Sequence, residues 1–303
     1  MKKVLVIAGP TAVGKSDFAV SLAQKFNLEI ISGDSIQVYR GLDIGSGKIR
    51  KEEMKGIRHH LIDILPPDAS YSAADFQSMA RDLIDHSEKG MIICGGTGLY
   101  LKACLYDYSF NQEEDEASCD PSLEQYTNQQ LYEMLEKTDP IQAQKIHVNN
   151  RRRLLRSLTI QIRTGKPQSQ VESEQSHQMI YDTKIIGCTM ERSMLYERIN
   201  RRVAMMFEAG LKNEVESLLK QGIRFDHQSM QGIGYKEWKP YFDGEAAEDM
   251  ILEEIRKHSR QFAKRQYTWL NHQMHVEWCD MSDPDEIQRT LDQIEHWYTK
   301  TSK

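Results

Sequence analysis

The residues near the start of the chain carry the clearest chemical signal. Gly9-Pro-Thr-Ala-Val-Gly-Lys-Ser16 fits the phosphate-loop template, in which glycine is followed by four residues and then by Gly-Lys-Ser. The glycines let backbone N–H groups face an anion, and the N-terminus of a following helix adds partial positive charge. Lys15 is long enough to reach the outer phosphate oxygens, and the Ser16 hydroxyl can hold Mg²⁺. The pattern predicts a site for a di- or triphosphate.

Asp34 is the second candidate for chemistry. It follows an apolar run, within Ser32-Gly-Asp-Ser35. A carboxylate at the carboxyl end of a strand, beside a phosphate loop, is suited to general-base or metal chemistry. The competing interpretation is a helix N-cap, a position that favours aspartate. The glycine-rich residues 37–48 are a poor match for one long helix, which favours the functional interpretation.

The acidic residue that a Walker-type NTPase or kinase often carries at the end of another strand is missing. The apolar run Met91–Cys94 ends in Gly95-Gly-Thr-Gly98, and Asp63 lies inside a strand-like run. The sequence therefore predicts phosphate binding more strongly than it predicts nucleotide hydrolysis.

A basic cluster occupies the middle of the chain, where residues 147–166 contain no acidic side chain. Its members are Arg151, Arg152, Arg153, Arg156, Arg163 and Lys166. Arg152 and Arg156 share a helix face, and an arginine fork matches phosphate oxygens, so a nucleic-acid backbone contact fits. A solvated helix face is the alternative.

Two further basic clusters lie in the C-terminal half. The first contains Arg198, Arg201 and Arg202, and Arg198 and Arg202 are one helical turn apart, so both can point at the anion site. The second consists of Arg256, Lys257, Arg260, Lys264 and Arg265. Tyr267 and Trp269 beside it could stack on bases, although aromatic residues at such positions are more often core.

Composition excludes several classes of protein. The 303 residues are 39% hydrophobic and 28% charged, as in a globular protein, and the net charge of −6 confines any nucleic-acid surface to a local patch. No apolar run approaches membrane-spanning length. The five cysteines are widely spaced, and His59-His60 has no partner at ligand spacing, so we expect neither a disulfide framework nor a metal centre built on them. These features predict a cytoplasmic protein.

Alternating strand-like and helical runs predict the scaffold that positions these residues. The strand-like runs are Val4–Ala8, Leu28–Ile31, Leu61–Leu65, Met91–Cys94, Lys184–Met190 and Met274–Trp278. The main helical runs are Lys15–Phe26, Ala73–Glu88, Leu195–Gln221, Asp249–Leu270 and Asp285–Tyr298. This alternation predicts an α/β fold with a parallel sheet of the P-loop NTPase type and helices on both faces, with ligands at the carboxyl ends of the strands.

The alternation is interrupted in the middle of the chain. Residues 111–120 are strongly acidic, which is typical of a solvated loop, and Leu123 through Gly165 has only helical patterns. We therefore predict a catalytic core at 1–109 and 184–303, with a helical insertion domain at 110–183.

At these residues the chain resembles the bacterial tRNA dimethylallyltransferases, also called tRNA isopentenyltransferases, from end to end. The resemblance rests on eight motifs in order: Gly9–Ser16, Asp34–Tyr39, Gly41–Gly45, His59–Asp63, Pro66–Ser72, Gly95–Leu101, Gly232–Tyr235 and Ala263–Gln266. Eight ordered motifs are far more specific than the phosphate loop alone.

The resemblance implies transfer of a dimethylallyl group from its diphosphate to the exocyclic amine of an adenine. That adenine is adjacent to the anticodon, at position 37, in tRNAs that read codons beginning with U. It implies that the loop residues Gly9, Pro10, Thr11, Ala12, Val13, Gly14, Lys15 and Ser16 bind the diphosphate together with Arg202, with Mg²⁺ on Ser16. A prenyl diphosphate in the loop would explain the missing second acid.

The resemblance also implies roles for other residues. Asp34 would be the base, with Thr11, Lys15 and Arg202 as the other catalytic residues. The tRNA would be contacted by Asp34, Ser35, Ile36, Gln37, Thr97, Arg152, Arg153 and Arg156. Family members often have Asp-Pro-Gln where this chain has Asn150-Arg-Arg152.

Two other functions remain alternatives at the level of sequence. A small-molecule kinase would use the same sheet, with Asp34 as base and the insertion as a lid. A non-catalytic RNA-binding protein would use the arginine clusters and would not need Asp34. We expect a monomer without membrane association.

Overall fold

The computed structural model describes residues 1–108, 110, 120–174 and 178–300. Most of the acidic segment, residues 111–119, lies outside the described residues, and so does Cys119. Four cysteines lie within them, all with free thiols: Cys94, Cys104, Cys188 and Cys279.

Two compact units make up the chain. One consists of Met1–Leu105 and Met179–Lys303, and the other is Tyr106–Gln178. The first contains six strands: β1 Lys3–Ala8, β2 Ile30–Ser32, β3 His59–His60, β4 Met91–Gly95, β5 Asp182–Thr189 and β6 Glu277–Asp280. Its helices are α1 Lys15–Phe26, α2 Ala73–His86, α3 Gly98–Leu105, α8 Arg192–Glu208, α9 Leu211–Lys220, α10 Lys239–Phe242, α11 Glu248–Gln273 and α12 Pro284–Thr299.

The sheet confirms the predicted parallel α/β architecture. Its strand order is β3-β2-β4-β1-β5-β6, and every paired strand is parallel to its neighbour. Strand β1 lies between β4 and β5, with Ala8 in register with Gly95 and Gly187. Its residues Val4–Ala8 are almost completely buried, as expected for an apolar central strand of a parallel sheet. The order brings the loops after β1, β2 and β4 to the same edge of the sheet.

The predicted strand Leu61–Leu65 is wrong. The strand at this edge is the short β3, His59–His60, and Leu61 and Asp63 adopt left-handed φ angles of 61° and 55° that break an extended run. Only Leu65 returns to a bridge, with Tyr39. The prediction of a single helix over Leu195–Gln221 is also wrong. Two helices, α8 and α9, cover this run, because Gly210 between them has a φ of 92°.

The second unit is built from helices where it is described. Its helices are α4 Asn128–Thr138, α5 Pro140–Ala143, α6 Arg151–Thr164 and α7 Gln168–Ser173. Its core comprises Leu123, Leu131, Leu135, Ala143, Ile146, Leu154, Leu155 and Leu158. Helix α6 is amphipathic: its leucines face this core, and Arg152, Arg153 and Arg156 are exposed. Among the described residues, no helix has the length and apolar character needed to cross a membrane.

Candidate active site

The phosphate loop lies between β1 and α1 in a conformation that depends on glycine. Gly9 has a φ of 136°, and a Cβ there would lie 2.5 Å from the carbonyl oxygen of Cys188. Gly14, the N-cap of α1, has a φ of 103° and supplies no side-chain cap. Within the described residues, the N–H groups of the first turn of α1 therefore receive no side-chain capping oxygen, which leaves them available to an anion.

Lys15 is held by the loop itself. Its ammonium group donates a hydrogen bond to the carbonyl oxygen of Pro10 at 2.6 Å. Burial lowers the pKa of Lys15, and the positive charge of Arg202 lowers it further, while Asp34 acts in the opposite direction. A bound anion would favour the charged form of this lysine.

Arg202 reaches the same loop from α8. Its guanidinium donates to the Thr11 hydroxyl at 3.1 Å and to the carbonyl oxygens of Ser46 and Gly47 at 3.5 and 3.3 Å. Burial lowers its pKa, and the charge of Asp34 partly offsets that effect. Arg198, one turn earlier, comes close to Gly14 but is exposed. The structure thus brings Thr11, Lys15 and Arg202 together at the phosphate loop.

The contacts of Asp34 are partly those of a capping residue and partly those of a carboxylate available for chemistry. One carboxylate oxygen, Oδ1, accepts the N–H groups of Ile36 at 2.8 Å and Gln37 at 3.2 Å, as a cap does. No helix follows, because residues 35–42 form bends and turns. The second oxygen, Oδ2, has no hydrogen-bond partner among the described residues. Since Asp34 influences the pKa of both Lys15 and Arg202, its carboxylate belongs to the same electrostatic site.

The other residues predicted to contact tRNA in this unit lie beside Asp34. Ser35, Ile36 and Gln37 continue its turn and are half-buried, and the Gln37 side chain donates to the carbonyl oxygen of Gly47 at 3.4 Å. Thr97 lies in the turn after β4, where its N–H donates to the Gly33 carbonyl at 3.3 Å. The turns after β2 and β4 are therefore directly bonded to each other.

Gln266 was not predicted as a site residue, although it belongs to one of the eight motifs. From α11 its side chain accepts the N–H of Thr11 at 3.0 Å and donates to the carbonyl oxygen of Gly96 at 3.0 Å. A Cβ at Gly96 would overlap this amide, and one at Gly98 would overlap the Trp269 ring. Gln266 thus fixes the phosphate loop to the turn after β4, and Trp269 is a packing residue there.

Glu214, Tyr235 and Lys48 were also missed by the sequence prediction. Glu214 and Tyr235 bind the backbone of residues 43–46. Lys48, whose side chain is only 5% exposed, forms ion pairs at 2.5 Å with Asp43 and Asp63. Glu214 binds backbone groups about 170 positions away, and Lys48 pairs with Asp43 and Asp63 within irregular loops, where no regular spacing marks a pair. Tyr235 lies in the Gly232–Tyr235 motif, which is the one signal that pointed to it.

Most of the remaining candidates have structural contacts. His60 contacts the Glu29 carboxylate at 2.5 Å, and His59 contacts the Ile57 carbonyl. Tyr267 shares a hydrogen bond with the Thr189 hydroxyl and packs against Trp278. These contacts agree with structural roles for the two histidines and Tyr267.

No group of three or more His, Cys, Asp or Glu side chains suited to a metal occurs among the described residues. Ser16 is exposed at the start of α1, and its hydroxyl has no hydrogen-bond partner among them. Mg²⁺ commonly takes only one or two protein ligands and completes its shell with water and substrate phosphates. The Ser16 hydroxyl beside the phosphate loop fits that pattern.

The four arginines at the start of α6 fall into two groups. Arg151 is bound within its own unit, where it donates to the carbonyl oxygens of Tyr126 and Glu124 at 2.7 and 2.8 Å. Arg152, Arg153 and Arg156 are exposed, and their guanidinium groups have no partner in the described part of the chain. The exposed three are available to an external anion, whereas Arg151 is structural.

Comparison with known proteins gives one consistent result. The family model for IPP transferase matches residues 37–273. A tRNA dimethylallyltransferase from Anoxybacillus flavithermus is 48% identical over 299 residues, covering 98% of this chain and 96% of the relative. The crystal structure of a Staphylococcus epidermidis tRNA isopentenylpyrophosphate transferase is 43% identical, covers both chains completely and has a TM-score of 0.73.

A eukaryotic dimethylallyltransferase, described by crystallographic snapshots of its action on tRNA, is a more distant relative. It is 29% identical, with a TM-score of 0.83, and the match covers 98% of this chain and 80% of that one. Solved structures of both kinds thus share the fold of this chain over nearly its whole length.

Proposed function

Since the chain belongs to the IPP transferase family, we propose that it transfers a dimethylallyl group from dimethylallyl diphosphate to an adenine of tRNA. The acceptor is the exocyclic amine of the adenine on the 3′ side of the anticodon, in tRNAs reading codons that begin with U. The observation that carries this proposal is that Arg202 reaches the phosphate loop beside Thr11 and Lys15. An oxygen of Asp34 without a hydrogen-bond partner lies in the same electrostatic site.

The phosphate loop binds the leaving group in this proposal. Backbone N–H groups at the end of the loop and in the first turn of α1 face the diphosphate, and Lys15, Thr11 and Arg202 contact its oxygens. Negative charge grows on the diphosphate as the allylic C–O bond breaks, so donors fixed in advance stabilise the transition state more than the ground state. Mg²⁺ held by Ser16 and the phosphate oxygens would add to that stabilisation.

Asp34 acts on the other reactant. An adenine amine is a weak nucleophile because its lone pair is delocalised into the ring, and its attack on carbon is helped when a carboxylate removes a proton. The Asp34 Oδ2 atom accepts that proton as the C–N bond forms and diphosphate departs. Its Oδ1 atom is fixed by the N–H groups of Ile36 and Gln37, which orients the carboxylate before the substrate binds.

The tRNA contacts follow from the same division. The target adenine is contacted by Asp34, Ser35, Ile36 and Gln37, and it must leave its stack to reach a carboxylate at the sheet edge. Thr97 is a further tRNA contact. Arg152, Arg153 and Arg156 bind the phosphate backbone of the tRNA. Base contacts supply the choice of adenine, and charge contacts supply affinity.

A small-molecule kinase is not favoured. The family assignment opposes it, and β4 ends at Gly95, where a Cβ would overlap the Gly33 backbone, so a larger acidic residue does not fit there. A non-catalytic RNA-binding protein has no use for two half-buried cations, Lys15 and Arg202, at the phosphate loop. We propose further that the protein acts in the cytoplasm, where tRNA matures, and as a monomer.

The decisive experiment is a transfer assay on unmodified tRNA. The protein, Mg²⁺ and dimethylallyl diphosphate are incubated with a tRNA reading a U-initial codon, and modified adenosine is located by mass spectrometry. We expect one added dimethylallyl group on the adenine beside the anticodon. Consumption of ATP in the absence of tRNA, with no adduct on tRNA, would instead support the kinase.

A further inference from the structure

The segment of residues 43–47 is held by two side chains, Glu214 and Tyr235, that were not predicted as site residues. Four successive backbone N–H groups of this segment point towards Glu214 of α9 and the hydroxyl of Tyr235. The Glu214 carboxylate accepts three of them, at 2.7 to 3.0 Å, from Asp43, Ile44 and Gly45. The Tyr235 hydroxyl accepts the fourth, from Ser46, at 3.1 Å and donates to Glu214 at 2.7 Å.

The Glu214 carboxylate forms no salt bridge in the described part of the chain. Its charge is balanced by backbone dipoles and one hydroxyl, as in an anion-binding nest. Tyr235 is completely buried, and burial together with the Glu214 charge raises its pKa well above the usual value. The hydroxyl therefore keeps its proton and remains a donor to Glu214. A Cβ at Gly45 would overlap the Tyr235 ring, so this contact requires glycine.

The other end of the segment bears on the candidate active site. The carbonyl oxygens of Ser46 and Gly47 accept hydrogen bonds from Arg202, whose other terminal nitrogen contacts Thr11 of the phosphate loop. The N–H groups of the segment thus bind Glu214 and Tyr235, and its last carbonyls bind Arg202. A shift of this backbone would move the guanidinium relative to the diphosphate site.

We propose that Glu214 and Tyr235 are positioning residues for the reaction, which act through residues 43–47 to fix the guanidinium of Arg202 against the leaving diphosphate. This inference rests on the proposed function for the identity of the leaving group. Neither side chain touches substrate: their effect is on the orientation of Arg202. Misplacement of such a group by about 1 Å can lower a rate by about a hundredfold.

The test is a double-mutant cycle on Tyr235→Phe and Arg202→Ala. Tyr235→Phe keeps the ring that packs on Gly45 and removes the hydroxyl that orders Ser46. We expect it to lower kcat by about tenfold to a hundredfold, with an unchanged KM for tRNA. In the Arg202→Ala background we expect it to change kcat by less than about twofold, because the residue through which it acts is gone.

Glu214→Gln is the second variant, since it preserves size and directs an amide N–H₂ against backbone donors. Tyr181→Phe is the matched control, because it removes the hydroxyl of another buried tyrosine, bonded to Asp85, from the same unit. Melting temperatures of all variants are measured alongside activity. We expect Tyr181→Phe to change kcat little whatever its effect on stability.

Calorimetric titration with inorganic diphosphate and Mg²⁺ separates this inference from the proposed function. We expect weaker diphosphate binding in Tyr235→Phe and Glu214→Gln, and wild-type binding in Tyr181→Phe. If this pattern appears while the wild-type protein transfers no prenyl group, the proposed function fails and the positioning role stands. Independent, multiplicative effects of Tyr235→Phe and Arg202→Ala, or wild-type diphosphate binding in both variants, would overturn the inference.

Discussion

The two units present positive charge in opposite ways. In the sheet unit, Lys15 and Arg202 are held by carbonyl and hydroxyl oxygens, and burial lowers the pKa of both. In the helical unit, Arg152, Arg153 and Arg156 project from α6 without partners among the described residues. Fixed, desolvated cations suit a small anion whose charge changes during a reaction. Exposed arginines suit the phosphate backbone of a nucleic acid, whose binding depends strongly on salt.

The comparison predicts that changes in the sheet unit affect chemistry and that changes in α6 affect affinity. The largest effect is expected from Asp34→Asn. The amide keeps an oxygen for the N–H groups of Ile36 and Gln37 but cannot accept the substrate proton. We expect kcat to fall by about 10² to 10⁴, with tRNA affinity unchanged in a filter-binding assay.

Asp34→Ala provides the control for this change, because it removes the capping oxygen as well. A loss of tRNA affinity in the alanine variant alone would show that the turn of residues 34–37 contributes to tRNA binding. Turnover retained in Asp34→Asn would rule out the base assignment.

Gly47→Ala is expected to have the next largest effect. A Cβ at this position would overlap the Arg202 guanidinium, so the arginine must leave the phosphate loop. We expect kcat/KM for dimethylallyl diphosphate to fall by about a hundredfold. Gly56→Ala is the matched control: its φ of 79° gives similar backbone strain, but its Cβ would meet no atom within 4 Å. Equal losses in both variants would assign the effect to strain rather than to Arg202.

A change in α6 should act on affinity alone. We expect the double variant Arg152→Ala with Arg156→Ala to bind tRNA roughly tenfold more weakly, with kcat at saturating tRNA unchanged. The slope of log affinity against log salt should become shallower by about 2, because each arginine that binds a phosphate accounts for about one unit of slope. Lys166→Ala is the control, because that lysine is paired with Glu174 at 2.8 Å. An unchanged salt slope in the double variant would show that these arginines of α6 do not bind the tRNA.

The smallest effect concerns stability. Burial lowers the pKa of Lys15 in the folded protein below its usual value of 10.5. Between these two pKa values the unfolded chain binds more protons than the folded one. The stability of the folded state therefore rises with pH in that window. Below it, the buried charge opposes folding. We therefore expect Lys15→Met to raise the melting temperature at pH 7 by about 2 °C.

This advantage of Lys15→Met should shrink as the pH approaches 10.5. Inorganic diphosphate should raise the melting temperature of the wild-type protein and have less effect on the variant. A variant less stable than wild type at pH 7 would show that the bond to Pro10 outweighs the burial of charge.

Much of the sheet unit could be predicted from sequence because local signals agree there. The bounds of α1 are those predicted, and β1, β4 and β5 begin and end within two residues of the predicted runs. The run Leu61–Leu65 failed because its apolar residues pack from a left-handed turn rather than from a strand. Helix α3 was absent from the prediction, since a glycine-rich turn hides its start at Gly98.

The site was predicted in part for a related reason. The phosphate loop has a residue pattern of its own, and Asp34 follows directly after a strand, so both are visible in sequence. Arg202 was predicted as a site residue because it lies one helical turn after Arg198 and because the family resemblance implies it. Glu214 has no such signal, because its partners are backbone N–H groups about 170 positions earlier. Bonds to backbone leave little trace in residue types.

The hydrogen bonds of Gln266 determine when the phosphate loop can reach its final shape during synthesis of the chain. The phosphate loop is translated within the first 16 residues, yet its lateral support comes from β5 and from α11, which follow the whole helical unit. While the chain is still emerging from the ribosome, β1 lacks one of its two neighbouring strands and Thr11 lacks the amide that fixes it. The loop can thus reach its final shape only after residue 266 has been synthesised, so incomplete chains lack the finished loop to which we propose that the diphosphate binds.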